Sequence, residues 1–179
     1  KLTGTIVMRL GQIIRIGVIR IPFGILRGQR WRFTSSIPSC ALGIYEPHIA
    51  SLLQRRLRRG TVFFDIGANV GYYTLFASTL VGDAGRVVAF EPGPDNFQML
   101  TEHIRINECT NVISVQKALS DIPGVVRFDG TARMMCKLSD RGNIEVECTT
   151  IDAFIRESGI SPEILKMDIE GAEIQALRG

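Results

Sequence analysis

The sequence predicts an α/β fold with a doubly wound, mostly parallel sheet. Two observations favour this fold class. From residue 61 onward, short apolar runs alternate with segments of helical periodicity. Alternation of this kind is typical of parallel strands joined by right-handed crossovers. The 179 residues, 45% of them apolar and 22% charged, suffice for one domain with a packed core and argue against a disordered or disulfide-stapled chain.

The elements of the predicted sheet follow from β-branched and aromatic runs, which favour strands, and from apolar residues at helical spacing. Strands are predicted at residues 61–66, 86–91, 112–117 and 164–169, and a hairpin pairs 125–128 with 144–148. Helices are predicted at residues 70–79, 94–106 and 151–157, and a further helix starts at Glu170.

Residues 1–39 are predicted to form a basic N-terminal arm, because seven Lys and Arg residues precede the first acidic residue, Glu46. Its apolar residues at helical spacing allow an amphipathic membrane-surface helix. The favoured alternative is packing on the main body, since Arg interrupts the apolar face, and Trp31 is expected to anchor the arm to the core. The helically spaced residues are Ile6, Leu10, Ile13, Ile14 and Ile21.

Residues 40–60 are predicted to form a lead-in helix, followed by the main domain over residues 61–179. Ile49, Leu52, Leu53 and Leu57 lie on one face of that helix.

Four widely spaced cysteines give no metal-ligand spacing, so reduced thiols and no metal site are predicted. They are Cys40, Cys109, Cys136 and Cys148. No apolar run is long enough for a spanning helix. The predicted location is therefore cytoplasmic, with peripheral membrane contact through the arm as the further expectation.

The strongest functional signal is the run DIGANVG at residues 65–71, where the first strand turns into a helix. Gly67 and Gly71 let backbone N–H groups approach a ligand closely, and Asn69 tolerates a left-handed conformation. The spacing differs from the dinucleotide fingerprint G-x-G-x-x-G and from a P-loop. Asp65, at the strand end, would repel a pyrophosphate and attract an ammonium group.

A second carboxylate, Glu91, ends the next predicted strand, 20 residues beyond Gly71. A carboxylate at this position accepts hydrogen bonds from ribose hydroxyls, so the ligand is predicted to contain a nucleoside. Together with Asp65 it favours S-adenosylmethionine, which has an α-ammonium group, a sulfonium and a carboxylate for the N–H groups of the turn. The alternative is that Asp65 and Glu91 are capping or turn residues.

Four motifs in order, FFDIGANVGYYT, VVAFEP, ALSD and KMDIEGAE, resemble those of the FkbM-type methyltransferases, a class I S-adenosylmethionine-dependent family. The resemblance begins near Gly43 and extends to Gly179. It implies a Rossmann-like class I methyltransferase fold, with the methionine part held by the first motif, the ribose by Glu91 and the adenine edge by the ALSD motif. The predicted cofactor-binding residues are Asp65, Gly67, Ala68, Asn69, Gly71, Thr74, Glu91, Pro92, Ala118, Leu119 and Asp121. For the last three, packing and turn formation are equal alternatives.

Asp168 and Glu170 are the predicted catalytic residues. Asp168 falls at the carboxyl end of its strand, where open α/β sheets bind ligands, and is expected to face the transferred methyl group. Glu170 and Glu173 fall at a predicted helix N-terminus, where capping is an equal alternative. Lys166 alternates with Asp168, so it either points the same way or lies at a strand end.

The predicted function is methyl transfer from S-adenosylmethionine to a hydroxyl of a sugar, glycolipid or secondary metabolite, the acceptors that the resemblance implies. The tetrapeptide at residues 168–171 lacks the Pro-Pro-aromatic pattern of base amino methylation, so no nucleic-acid partner is predicted. One alternative is an NAD(P)-dependent oxidoreductase, because Glu91 serves either cofactor. Another is an inactive cofactor-binding module tethered to a membrane by its arm.

Members of this family usually continue with further strands, whereas this chain ends after the fourth core strand. The sequence is therefore expected to be a fragment that lacks the elements enclosing the acceptor.

Overall fold

The computed structural model describes residues 17–129, 137–138 and 144–179, and this part of the chain contains ten strands and six helices. The strands are β1 (Val18–Arg20), β2 (Arg30–Arg32), β3 (Val62–Ile66), β4 (Arg86–Phe90), β5 (Val112–Val115), β6 (Ala118–Leu119), β7 (Gly124–Asp129), β8 (Lys137–Leu138), β9 (Ile144–Thr149) and β10 (Ile164–Met167). The helices are α1 (Pro38–Leu42), α2 (Pro47–Arg56), α3 (Tyr72–Val81), α4 (Pro94–Ile106), α5 (Ile151–Ser158) and α6 (Glu173–Arg178).

The central sheet consists of four parallel strands in the order β10-β3-β4-β5. The predicted doubly wound, mostly parallel fold is confirmed. Successive strands add on one side of β3, whereas β10 returns to its other side, so the strand order reverses between β3 and β10. The carboxyl ends of strands at such a reversal are the usual ligand site of open α/β sheets. In the register of this pair, Lys166 lies opposite Asp65.

Both faces of the central sheet are covered, which explains why its strands are apolar without alternation. Phe63 and Val87 face one core layer, to which α3 contributes its buried residues. Phe64 and Val88 face the other layer, together with Phe154 of α5. The sheet therefore has a core on each side, as a doubly wound fold requires.

A second sheet has the order β6-β9-β7-β8. Its strands β7 and β9 are antiparallel, with Gly124 opposite Cys148, so the predicted pairing is confirmed. The predicted strand at residues 112–117 is too long. It ends at Val115, and the chain then enters β6, which pairs in parallel with β9.

Two helices start later than predicted, for the same physical reason. The helix predicted at residue 70 begins at Tyr72, because Asn69 and Gly71 have left-handed φ angles of 51° and 94°. The helix predicted at Glu170 begins at Glu173, because Glu170 itself has a φ angle of 56°. Left-handed residues cannot belong to a right-handed helix, so each turn lies outside its helix.

The described part of the N-terminal arm is a β-hairpin made of β1 and β2, and it packs on the main body. Trp31 is fully buried and stacks on His103 with ring centroids 3.9 Å apart, which confirms that it anchors the arm. Ile21 is buried beyond the end of β1, so it does not belong to a membrane-surface helix. The other four residues of that predicted helix, Ile6, Leu10, Ile13 and Ile14, lie outside the described residues.

Two helices, α1 and α2, occupy the segment where one lead-in helix was predicted, and Gly43 with a φ angle of 77° separates them. Leu53 and Leu57 are buried, but Leu52 is 44% exposed. The prediction that Leu52 shares the buried face is therefore wrong.

Cys40, Cys109 and Cys148 are free thiols, and burial raises the pKa of each, that of Cys40 to about 11. Cys136 lies outside the described residues. Within the described ranges, no helix combines the length and apolar character needed to cross a bilayer.

His103 joins the arm to the turn at residues 67–71. Its Nδ1–H donates to the carbonyl of Val70 at 2.7 Å, and its Nε2 accepts the backbone N–H of Arg32 at 3.0 Å. Both ring nitrogens are thus satisfied in the neutral form. Burial lowers the pKa of His103 to about 4.

We expect His103→Gln to remove a large part of the pH dependence of stability below neutral pH. The pKa of His103 is about 4 in the folded chain and 6.5 when unperturbed. As the pH falls through this window, only the unfolded chain takes up the proton, so the free energy of unfolding decreases, by about 3 kcal/mol in total. Urea unfolding at about pH 7 and about pH 4.5 measures the change.

The control is His48→Gln, which replaces an exposed histidine and should keep the wild-type pH dependence. An unchanged pH dependence in the His103 variant would contradict the buried neutral state.

Candidate active site

A cleft of about 370 Å³ lies at the carboxyl ends of the central strands, where the strand order reverses. It is lined by nine of the predicted site residues: Gly67, Ala68, Asn69, Glu91, Pro92, Ala118, Leu119, Asp168 and Glu170. The other four, Asp65, Gly71, Thr74 and Asp121, lie outside its lining. The structure thus brings most of the predicted residues into one cavity of a size typical for a small-molecule site.

Gly67 is required by a close approach between two strand ends. Its φ angle is 75°, and a Cβ built on it would lie 2.0 Å from the carbonyl oxygen of Asp168. Only glycine combines this backbone conformation with so small a volume. The turn after β3 therefore packs directly against the end of β10, and the two form the floor of the cleft.

The N–H groups of the turn at residues 67–71 are all used inside the protein. The prediction that they bind a ligand carboxylate stays a prediction, and a ligand carboxylate would have to compete with these internal acceptors. The N–H groups of Gly67 and Ala68 donate to Phe90 O at 3.0 and 2.9 Å, that of Asn69 to Glu91 Oε2 at 2.8 Å, that of Val70 to Asn69 Oδ1 at 2.8 Å, and that of Gly71 to Ala68 O at 2.9 Å.

Glu91 fixes this turn and also lines the cleft. Its side chain is 4% exposed, and its two oxygens accept the N–H groups of Asn69 at 2.8 Å and Gly93 at 2.9 Å. Asn96 donates a further hydrogen bond. Burial raises the pKa of Glu91, and these bonds oppose that effect. Since a carboxylate has about four acceptor sites, Glu91 can hold the turn and still accept a ligand hydroxyl.

Asp65 supports the cleft from beneath and does not line it. The side chain is fully buried, with Oδ2 accepting the hydroxyl of Thr74 at 2.6 Å and Oδ1 lying 3.3 Å from Lys166 Nζ. This corrects the prediction that Asp65 and Thr74 face the ligand: both lie below the turn, where the Thr74 hydroxyl satisfies Oδ2 and Oδ1 accepts no hydrogen bond. Gly71 is likewise outside the lining and packs against Leu100, where a Cβ would come within 2.7 Å of Cδ1.

Lys166 points into the cleft from β10, on the same side as Asp168. Its side chain is 14% exposed. The ammonium group donates to Gly67 O at 3.1 Å, lies 3.9 Å from Asp168 Oδ2 and sits 5.4 Å from the centre of the Tyr73 ring. The sequence signal was the spacing of two residues between Lys166 and Asp168, which places both side chains on one side of a strand. The alternative that Lys166 points the same way as Asp168 is confirmed.

The two predicted catalytic carboxylates sit at the rim of the cleft. The side chain of Asp168 is 58% exposed. Glu170 lies in the turn between β10 and α6. The N-terminus of α6 has no side-chain cap hydrogen bond. Glu173 instead closes the turn before the helix, since its Oε1 accepts the N–H groups of Ile169 and Gly171 at 3.1 and 3.2 Å. Hydrogen bonds from the backbone N–H groups of Glu173 itself, Gly171 and Ile169 lower the pKa of Glu173.

One wall of the cleft comes from residues that the sequence analysis did not assign to the site. Tyr45 and Tyr73 are two of them, and the Tyr73 hydroxyl donates to Glu46 Oε2 at 2.8 Å. Burial raises the pKa of both tyrosines, that of Tyr45 to about 12. The one sequence signal for this wall is that Tyr73 belongs to the motif FFDIGANVGYYT, two residues after Gly71. The remaining unassigned lining residues include Ser36, Ile37, Cys40, Asn96 and Lys117.

The family model described as the Methyltransferase FkbM domain matches residues 65–179. The chain belongs to the FkbM methyltransferase family. It is 30% identical to the hexuronic acid methyltransferase AglP of Haloferax volcanii over 138 residues, which cover 75% of this chain and 56% of that protein. It is 31% identical to the 31-O-demethyl-FK506 methyltransferase FkbM of Streptomyces tacrolimicus over 159 residues, covering 69% of this chain and 60% of the relative.

This FkbM-family chain thus spans a little over half the length of the curated relatives it matches. Among solved structures, it is similar to an S-adenosylmethionine-dependent methyltransferase from Aquifex aeolicus, with 21% identity and a TM-score of 0.38 over 45% of this chain and 43% of that one.

Proposed function

We propose that this chain forms the cofactor-binding part of an S-adenosylmethionine-dependent O-methyltransferase. The observation that carries the proposal is Glu91, a buried carboxylate that lines the cleft and retains capacity to accept a ribose hydroxyl. Its position fits a nucleoside cofactor, and membership of the FkbM family makes that cofactor S-adenosylmethionine.

The cleft residues fit the other parts of this cofactor. Ala118 and Leu119 are buried apolar residues in the lining and suit the adenine ring. Gly67, at the opposite end, presents a carbonyl oxygen toward the cleft, which suits an ammonium group. When bound, S-adenosylmethionine supplies a methyl group activated by a sulfonium.

The chain contributes to the reaction by holding the cofactor and orienting it toward the acceptor. A rigid turn fixed by Glu91 and Phe90 O sets the depth of the cofactor site, and alignment of acceptor and donor provides most of the acceleration in a displacement. Asp168, exposed at the rim beside Lys166, is the proposed base or orienting acceptor for the substrate hydroxyl. Glu170 is the second candidate for this role.

The proposed acceptor is a small molecule or glycan that carries a hydroxyl group. The names of the relatives support this class, because one is a hexuronic acid methyltransferase and another a 31-O-demethyl-FK506 methyltransferase. A cytoplasmic location with peripheral membrane contact through the arm is part of the same proposal, supported by the basic residues of the arm.

The cofactor assignment is tested by calorimetry with S-adenosylmethionine, S-adenosylhomocysteine and NAD. We expect both adenosylated ligands to bind and NAD not to bind. Glu91→Gln should weaken binding of S-adenosylmethionine by about 10- to 100-fold, because a hydrogen bond to a charged acceptor is lost. Glu157→Gln is the matched control, since Glu157 is exposed and outside the lining and its replacement should leave the affinity unchanged.

Binding of NAD alone would contradict the methyltransferase proposal and favour the oxidoreductase alternative. A thermal melt of the Glu91 variant separates loss of ligand contact from loss of the folded turn.

The role of Asp168 is tested in the full-length protein by Asp168→Asn, with methyl transfer to a hydroxylated acceptor as the readout. We expect the variant to keep its affinity for S-adenosylmethionine and to lose about 10²- to 10⁴-fold in turnover, the range of a general base. Asp83→Asn, at an exposed carboxylate outside the cleft lining, is the control. Wild-type turnover in the Asp168 variant would transfer the proposed role to Glu170.

A further inference from the structure

We propose that Lys166 binds the α-carboxylate of the cofactor and so selects an amino-acid-bearing nucleoside. The inference rests on the proposed function and adds a cofactor-recognition residue to it. Lys166 lines the cleft, and its ammonium group lies at the floor, on Gly67 O.

The positions of the lining residues define the direction in which a nucleoside lies in the cleft. Glu91 follows β4, and Ala118 and Leu119 form β6, so the sugar and base belong to that side. The strand order then places β3 and β10 on the opposite side of β4 from β5. When the ribose binds Glu91 and its base faces β6, the other substituent of the ribose, which carries the amino-acid part, extends toward the ends of β3 and β10. Lys166 lies at this end of the cleft.

The amino-acid part of the cofactor needs a positive group at the β3–β10 end of the cleft. A carboxylate leaving water requires charged or N–H donors. The five N–H groups of residues 67–71 are already donated inside the protein. Among the described lining residues, the cationic side chains are Lys117 and Lys166.

The two lysines differ in their position along the cleft and in their exposure. Lys117 lies on the adenine side, beside Ala118, is 40% exposed and pairs with Glu147 at 3.1 Å. Lys166 is 14% exposed and lies at the β10 end of the cleft. The ammonium group of Lys166 donates to Gly67 O and forms ion pairs with Asp65 Oδ1 at 3.3 Å and Asp168 Oδ2 at 3.9 Å, and Asp65 Oδ1 accepts no hydrogen bond. Because an ammonium group has three N–H donors, Lys166 retains capacity to donate to a ligand carboxylate.

The buried partner of Lys166 is Asp65. Asp65 is fully buried and faces Lys166 across the β3–β10 pair, so it holds the ammonium group in place. Asp65 therefore acts on the ligand through Lys166. This accounts for a carboxylate at the strand end that does not itself line the cleft.

The test compares the affinities of S-adenosylmethionine and its decarboxylated analogue, measured by calorimetry. The wild-type protein should prefer S-adenosylmethionine by about 10- to 100-fold, the worth of a charge-assisted hydrogen bond. Lys166→Met keeps the unbranched shape of the side chain, one atom shorter, and removes the charge, so the variant should bind both ligands with nearly equal affinity. Lys166→Arg should retain most of the preference.

Lys117→Met is the matched control, because it removes the other cleft lysine and should leave the preference intact. Lys166→Met leaves Asp65 buried without its cation, and where that variant does not fold, the double variant Asp65→Asn, Lys166→Met removes both charges and should show the same loss of preference. The ratio of two affinities in one variant does not move with a general loss of stability.

The outcomes separate this inference from the proposed function. Failure of the wild-type protein to bind S-adenosylmethionine would overturn the proposed function. Binding of S-adenosylmethionine with an undiminished preference in Lys166→Met would leave that function standing and overturn the role of Lys166, assigning the carboxylate to the N–H groups of residues 67–71.

Discussion

The structure of the cleft depends on one buried ion pair, Asp65 with Lys166, across the junction of β3 and β10. A carboxylate removed from water is costly unless it is paired and hydrogen-bonded, and here Thr74 and Lys166 provide both. Thr74 belongs to the first turn of α3, so the pair also locates the start of that helix. One buried charge thus positions a strand, a helix and the cation that faces the ligand.

The turn between β3 and α3 has a structural task that follows from its own hydrogen bonds. Its N–H groups hold the carbonyl of Phe90 and the carboxylate of Glu91, so the turn is locked to β4 before any ligand binds. Recognition of a ligand then falls to side chains around the turn. His103 extends this framework, since it links the carbonyl of Val70 to the arm and leaves little freedom for the turn to move.

The sequence was sufficient for the sheet and for the location of the cleft, because apolar strands, glycine turns and strand-end carboxylates are local signals. It was insufficient for the orientation of Asp65, whose side chain could face the ligand or lie beneath it; the choice depends on Lys166, about 100 positions away in the chain. The wall formed by Tyr45 and its neighbours was also missed, because long-range packing of the lead-in segment on the main body places it. Left-handed residues such as Glu170 moved helix starts, since a non-glycine φ above zero carries no clear sequence signal.

The most direct measurement of the central claim is a crystal structure of the protein with S-adenosylhomocysteine. We expect a ribose hydroxyl within about 3 Å of Glu91 and the α-carboxylate in contact with Lys166. The hydrogen bonds from the turn to Phe90 O and Glu91 should be intact. A ligand whose carboxylate is held by the N–H groups of residues 67–71, with those bonds broken, would contradict it.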